Sequence, residues 1–129
     1  MMLQELLLMA KDIDLIMASH ATYISKLEKS IKNNQPFEHK SHKDCSFGKR
    51  FYPEVYARLE EYPPHIRELI EEIEKTHREF HEIAFEVEKA SSEEEKLKIL
   101  NMVKNKSTEL FQLLLKLGRV LRKEEQDTT

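Results

Sequence analysis

The chain has one cysteine, two glycines, four prolines and no tryptophan in 129 residues. A single thiol excludes an intramolecular disulfide framework. With no basic, apolar leader at the N-terminus, it places the expected location in the reducing cytoplasm. Two glycines and four prolines are too few turn formers for a many-stranded sheet. No apolar run is long enough to cross a bilayer: the opening MMLQELLLMAKD is interrupted by Glu5, Lys11 and Asp12, so no membrane partner is expected. An excess of positive charge is also missing. The formal net charge is −3 and the cations are dispersed, apart from 116-KLGRVLRK-123, so nucleic acid is not an expected partner. There is no glycine-rich phosphate loop, cyclase signature or long coiled coil. The expectation is a non-enzymatic unit, either free-standing or one piece of a larger protein.

Hydrophobic residues make up 40% and charged residues 35%, a balance that suits amphipathic helices around one core. We expect a single all-α domain over 1–129, an antiparallel four-helix-bundle-like fold. Its first helix covers about residues 3–32 on the stripe Leu3, Leu6, Leu7, Ala10, Ile13, Met17, His20, Ile24, Leu27 and Ile31. Leu8, Leu15 and Ile16 fall off that seam, and a second apolar face calls for a helix from another chain, hence a homodimer. Residues 33–44 read as a polar loop. Short helical segments are expected around 45–62, with Pro53 opening one of them and Pro63-Pro64 separating it from the next helix. Residues 65–90 carry an inner stripe that includes Ile66, Ile70, Ile73, His77, Phe80, His81 and Ala84. Ser91 or Ser92, followed by glutamates, starts a last helix that runs to about 122.

His77 and His81 are four apart, so they project from one helix face about 6 Å apart along the axis. His20 occupies a stripe position on the first helix. A buried neutral imidazole needs both ring nitrogens satisfied, which aliphatic neighbours cannot do. A metal ion can. Zinc favours four nitrogen or sulfur ligands in a tetrahedron. His20, His77 and His81 offer three, and Cys45 as thiolate offers the fourth. Gly48 is expected to let the backbone turn tightly after Cys45. His39 and His42 lie in the loop beside Cys45 and are expected in solvent, with the capacity to substitute as ligands. His65 is expected to decorate a helix start.

These pieces, His20, then 45-CSFG-48, then 77-HREFH-81, resemble the chemoreceptor zinc-binding (CZB) domain family in order and spacing over nearly the whole chain. Thr22 and Arg50 stand where that family usually has hydrophobic residues. The resemblance implies a four-helix-bundle-like domain, often dimeric, that holds one Zn2+ through three His and one Cys. It implies control of a signalling partner, such as a chemoreceptor or a diguanylate cyclase, in response to zinc or to oxidants that attack the zinc-bound Cys.

Three other readings stay open on the residues alone. A di-iron oxygen-binding bundle of hemerythrin or ferritin type needs carboxylate ligands, and only 74-EKTH-77 fits its Glu-x-x-His element. Catalytic zinc needs an open coordination position, with Glu74 or Glu79 as base. A scaffold bundle with incidental histidines needs neither.

Overall fold

The computed structural model describes residues 2–127. Five α-helices follow in order: α1 (Met2–Lys11), α2 (Ile13–Lys32), α3 (Ser46–Glu54), α4 (Pro64–Phe85) and α5 (Glu93–Asp127). Two 3₁₀ segments, Tyr56–Glu61 and Glu86–Lys89, follow α3 and α4. No strand occurs among the described residues, and the helices pack as a bundle.

Several start and stop signals act as the side chains dictate. Pro64 takes the first position of α4, where its missing N–H has no intrahelical acceptor to lose. Ser92 accepts the Glu95 backbone N–H at 3.2 Å, and the Glu95 carboxylate accepts the Ser91 N–H at 3.1 Å. Of the two serines, Ser92 is therefore the cap of α5. At the end of α2, Asn34 turns left-handed (φ 51°). The Gln35 N–H then reaches the Ser30 carbonyl at 2.9 Å and the Asn34 N–H reaches Ile31 at 3.3 Å, a Schellman closure that releases the chain into the loop.

The long N-terminal helix expected over 3–32 is two helices. Asp12 leaves helical geometry (φ −92°, ψ 17°) and its N–H bonds the Met9 carbonyl. Its carboxylate reaches the Arg50 guanidinium of α3 at 2.5 Å. Asp is a poor interior helix former because its side chain competes for local partners. The break rephases the stripe: Met9 and Ile16 are buried, while Leu7, Ala10, Ile13 and Met17 are only partly so. Ile16 is thus core rather than off-seam, whereas Leu8 and Leu15 are exposed. The side chain of Leu3 lies outside those described.

Two further expectations are corrected. Pro53 does not open a helix; it sits in the last turn of α3. The last helix continues past 122 to Asp127, while the 65–90 helix tightens to 3₁₀ geometry after Phe85.

α5 runs antiparallel to both other columns. Lys106 meets Glu79 at 3.2 Å and His65 meets Glu124 at 2.7 Å across α4. On the other side Lys104 meets Glu28 at 3.2 Å, and Gly118 lies against Ala10. The core between them has two apolar clusters. One gathers Leu6, Ile16, Ile70, Ile73, Leu110, Leu114 and Leu117, with Phe47 and Phe51 of α3. The other gathers Leu27, Ile31, Phe80, Ala84, Leu100 and Val103. Each such side chain contributes about 1.5–3 kcal/mol on burial. His20 lies between Ile16 and Leu27 on α2, and His77 lies between Ile73 and Phe80 on α4, so a layer of imidazoles divides the clusters.

Phe51 is fully buried and stacked on Phe47 at 5.0 Å, whereas Met102 is half exposed. Urea denaturation of Phe51→Ala is expected to show a loss of about 3–5 kcal/mol. Met102→Ala is expected to stay within about 0.5 kcal/mol of the parent.

Candidate metal centre

Each of the four side chains singled out in the sequence reaches the layer for a local reason. His20 and the pair His77 and His81 face inward because the helical period places them on the buried stripes of α2 and α4. Cys45 is the N-cap of α3, with extended backbone (φ −72°, ψ 161°), and its sulfur accepts the Gly48 N–H at 3.3 Å. One potential ligand atom from each of His20, Cys45, His77 and His81 lies within 4.8 Å of every other, and all four residues are buried. Zinc with bonds of 2.0–2.3 Å holds neighbouring ligand atoms about 3.3–3.6 Å apart, close to the 3.2 Å between Cys45 Sγ and His77 Nε2.

The hydrogen bonds assign a tautomer to two of the rings. His20 Nδ1 lies 2.8 Å from the Ile16 carbonyl and His81 Nδ1 lies 2.8 Å from the Lys40 carbonyl. A carbonyl only accepts, so each Nδ1 carries the proton and each Nε2 presents a lone pair. Both Nε2 atoms are buried with no hydrogen-bond partner. Aromatic walls surround them: Phe80 stands 5.1 Å from the His20 ring, Tyr23 stands 5.2 Å from His81 and Phe47 stands 4.8 Å from His77. A lone pair left bare in such a place costs on the order of 1–3 kcal/mol, and a divalent ion removes that cost. The second-nitrogen bonds to backbone carbonyls are the support that metal-bound histidines ordinarily have.

Burial holds all three imidazoles below their usual range, His77 down to about 2 and His81 down to about 4, with neighbouring imidazoles adding repulsion at both. The rings are neutral at pH 7, the form that binds metal. Burial also pushes the Cys45 thiol up, against the pull of the Gly48 and Phe47 amides and the Lys40 charge. A metal-free Cys45 is therefore a neutral thiol, and a bound cation converts it to thiolate.

The glycine after Cys45 serves a purpose other than the expected one. Gly48 is helical, and no glycine has positive φ among the described residues. A Cβ there would lie 1.9 Å from the His42 carbonyl oxygen and 3.0 Å from Lys43 Cα. The residue is small because the 42–45 turn passes against the first turn of α3.

The remaining histidines stay outside the cluster. His42 packs on Tyr52 at 5.6 Å. His39, expected in solvent, has a side chain only 12% exposed; its Nε2 meets Glu88 at 2.7 Å between Phe37 and Phe85. His65 ties α4 to α5 through Glu124, and no side chain caps the start of α4. Glu74, a possible base or iron ligand, accepts Tyr52 Oη at 2.7 Å and Arg78 Nε at 3.2 Å, and is absent from the cluster. Arg50 is occupied by Asp12 and Glu54, and Thr22 bonds back to the Ala18 carbonyl. The carbonyls of Ile16 and Lys40 were not anticipated. Backbone acceptors have no residue-type signature, although the spacing of four between Ile16 and His20 is the one clue.

The profile of the chemoreceptor zinc-binding domain family matches residues 20–88, just over half of the chain. The chain belongs to that family. No curated protein and no solved structure matches it. The matched segment begins at His20 and includes Cys45, His77 and His81, and their cluster fits the zinc-binding character of the CZB family. Among the described residues no helix is long and apolar enough to cross a membrane.

Two predictions test this geometry. Ala is the better helix former by about 1 kcal/mol, yet Gly48→Ala is expected to lower urea-denaturation stability by about 1–3 kcal/mol, because backbone must move. In the metal-free chain the folded imidazoles have lower pKa values than unfolded ones near 6.5, so below that pH the unfolded state binds more protons. Their stabilising contribution is complete above about pH 6.5 and declines toward pH 4 and below. Thermal melts of metal-free protein are expected to move to lower temperature between pH 7 and pH 5, with His77 and His81 each contributing a loss on the order of 1–2 kcal/mol.

Proposed function

We propose that residues 1–129 form one CZB unit binding a single Zn2+ through His20 Nε2, His77, His81 Nε2 and the Cys45 thiolate. The observation that carries this reading is the pair of buried, unpartnered Nε2 atoms on rings whose Nδ1 protons are already given to backbone carbonyls. Bound zinc supplies a cation that satisfies these lone pairs and keeps Cys45 deprotonated. The cluster contains no carboxylate, which disfavours the di-iron alternative. Four protein donors leave no open position for hydrolysis, so the unit is regulatory rather than catalytic.

Cys45 is the reactive member of the set. Two-electron oxidation of its thiolate by an oxygen-donating oxidant gives a sulfenate, a weaker donor. The segment freed by that loss is 33–44, which buries no side chain completely; residues 45–52 are anchored by Phe47 and Phe51. His81 senses the same segment through the Lys40 carbonyl. Zinc occupancy or Cys45 oxidation thereby shifts the loop and changes the surface seen by a homodimeric partner or by a cytoplasmic signalling protein of the chemoreceptor or diguanylate cyclase kind. Exposed Leu8 of α1 and Leu15 of α2 are candidates for the dimer face.

Untagged protein is expected to carry about one zinc per chain by elemental analysis. Replacement of Cys45 by Ser, or of His77 by Ala, is expected to reduce that content sharply while helical circular dichroism is retained. An oxidant is expected to release zinc from the parent and not from protein alkylated at Cys45 beforehand. Parent protein that takes up no zinc from a titration would end this reading.

A further inference from the structure

A cavity of about 530 Å³ opens beside the cluster, and Cys45, His20 and His81 form part of its wall. Phe80 packs on the His20 ring and Phe47 on the His77 ring, while this opening gives solvent a way to the sulfur. Its lining is polar where it nears Cys45. The Ser19 and Ser46 hydroxyls are 3.2 Å apart, and the Tyr23 hydroxyl accepts the Lys40 N–H at 3.5 Å. The charged groups around it are Lys26, Lys40 and one carboxylate, Glu38. Neither lysine has a side-chain ion pair among the described residues.

We propose that this cavity is a docking site for small anions, and that Lys26 and Lys40 select negatively charged reagents over neutral ones on the way to Cys45. The proposal rests on Cys45 being the reactive group of the zinc centre. The site contributes hydroxyl donors and a net positive rim, which is a setting for a singly charged, compact ion. An organic cation has no counter-charge there beyond Glu38. A rim of this kind acts by raising the local concentration of the favoured sign, an effect that salt screens.

Alkylation of the full chain tests this, because Cys45 is its single cysteine. The sulfur attacks the methylene carbon of iodoacetate or iodoacetamide, iodide leaves, and a thioether forms in both cases. The ratio of the two rate constants cancels the thiolate fraction and any general loosening of the fold. Intact-mass kinetics on zinc-loaded and zinc-free protein give that ratio, and the zinc content of each sample is measured alongside. With Lys26→Glu and Lys40→Glu combined, the iodoacetate-to-iodoacetamide ratio is expected to drop about three- to ten-fold at low ionic strength. It is expected to recover most of the way toward the parent value at about 0.5 M salt. Lys123→Glu, at the far end of α5, is expected to leave the ratio unchanged. An unchanged ratio in the double variant overturns the proposal, as does an equal drop with Lys123→Glu. If the chain binds no zinc while the ratio still falls, the zinc reading fails and the anion site stands.

Discussion

Three imidazoles sit where an uninterrupted bundle would have aliphatic side chains, and the rest of the structure is arranged around that substitution. Each ring brings two nitrogens into a region that offers aromatic faces and methyl groups. On His20 and His81 one nitrogen is satisfied by backbone, from one turn earlier in α2 and from the loop. The other is left facing the cluster. Apolar burial on either side, around Leu114 and around Phe80, supplies the stability that tolerates such a layer. Without an ion, the same layer is a standing cost within the core.

The loop between α2 and α3 is held to the bundle at few points. The Schellman closure at Asn34 sets its departure, the Lys40 carbonyl meets His81, and the His39 side chain wedges between Phe37 and Phe85 to reach Glu88. It ends on the turn that packs against Gly48. A segment with so little buried apolar surface takes its position from polar contacts. One of those contacts is to a ring of the metal cluster, which couples loop position to the state of the centre.

Much of this was legible in the amino-acid order. Helical periodicity marked α2, α4 and α5 and put His20, His77 and His81 on inner faces, because spacings of three and four are a direct read-out of the helix turn. Cys45 was legible as the isolated thiol before a glycine. The break at Asp12 was not, since the apolar pattern passes through it and the deciding partner, Arg50, is 38 residues away. Pro53 misled because a proline suits a first turn, yet a short helix can also tolerate one near its end. The reason for Gly48 was hidden for the same cause as the two carbonyl acceptors: both depend on where backbone passes in space. His39 resembled a solvated loop residue because its partners, Phe85 at the end of α4 and Glu88 in the 3₁₀ segment after it, are more than forty residues away.

The interruption at Asp12 gives the N-terminal column a pivot. α1 is ten residues long, about 15 Å from end to end, and its inner end is latched to α3 through Arg50, five residues from Cys45. A swing of about 10° at that latch sweeps the tip of α1 through roughly 2.6 Å. A straight, unbroken rod would transmit the same disturbance as a shift of its whole length against α5; the jointed one converts it into a change of heading at the end of the bundle.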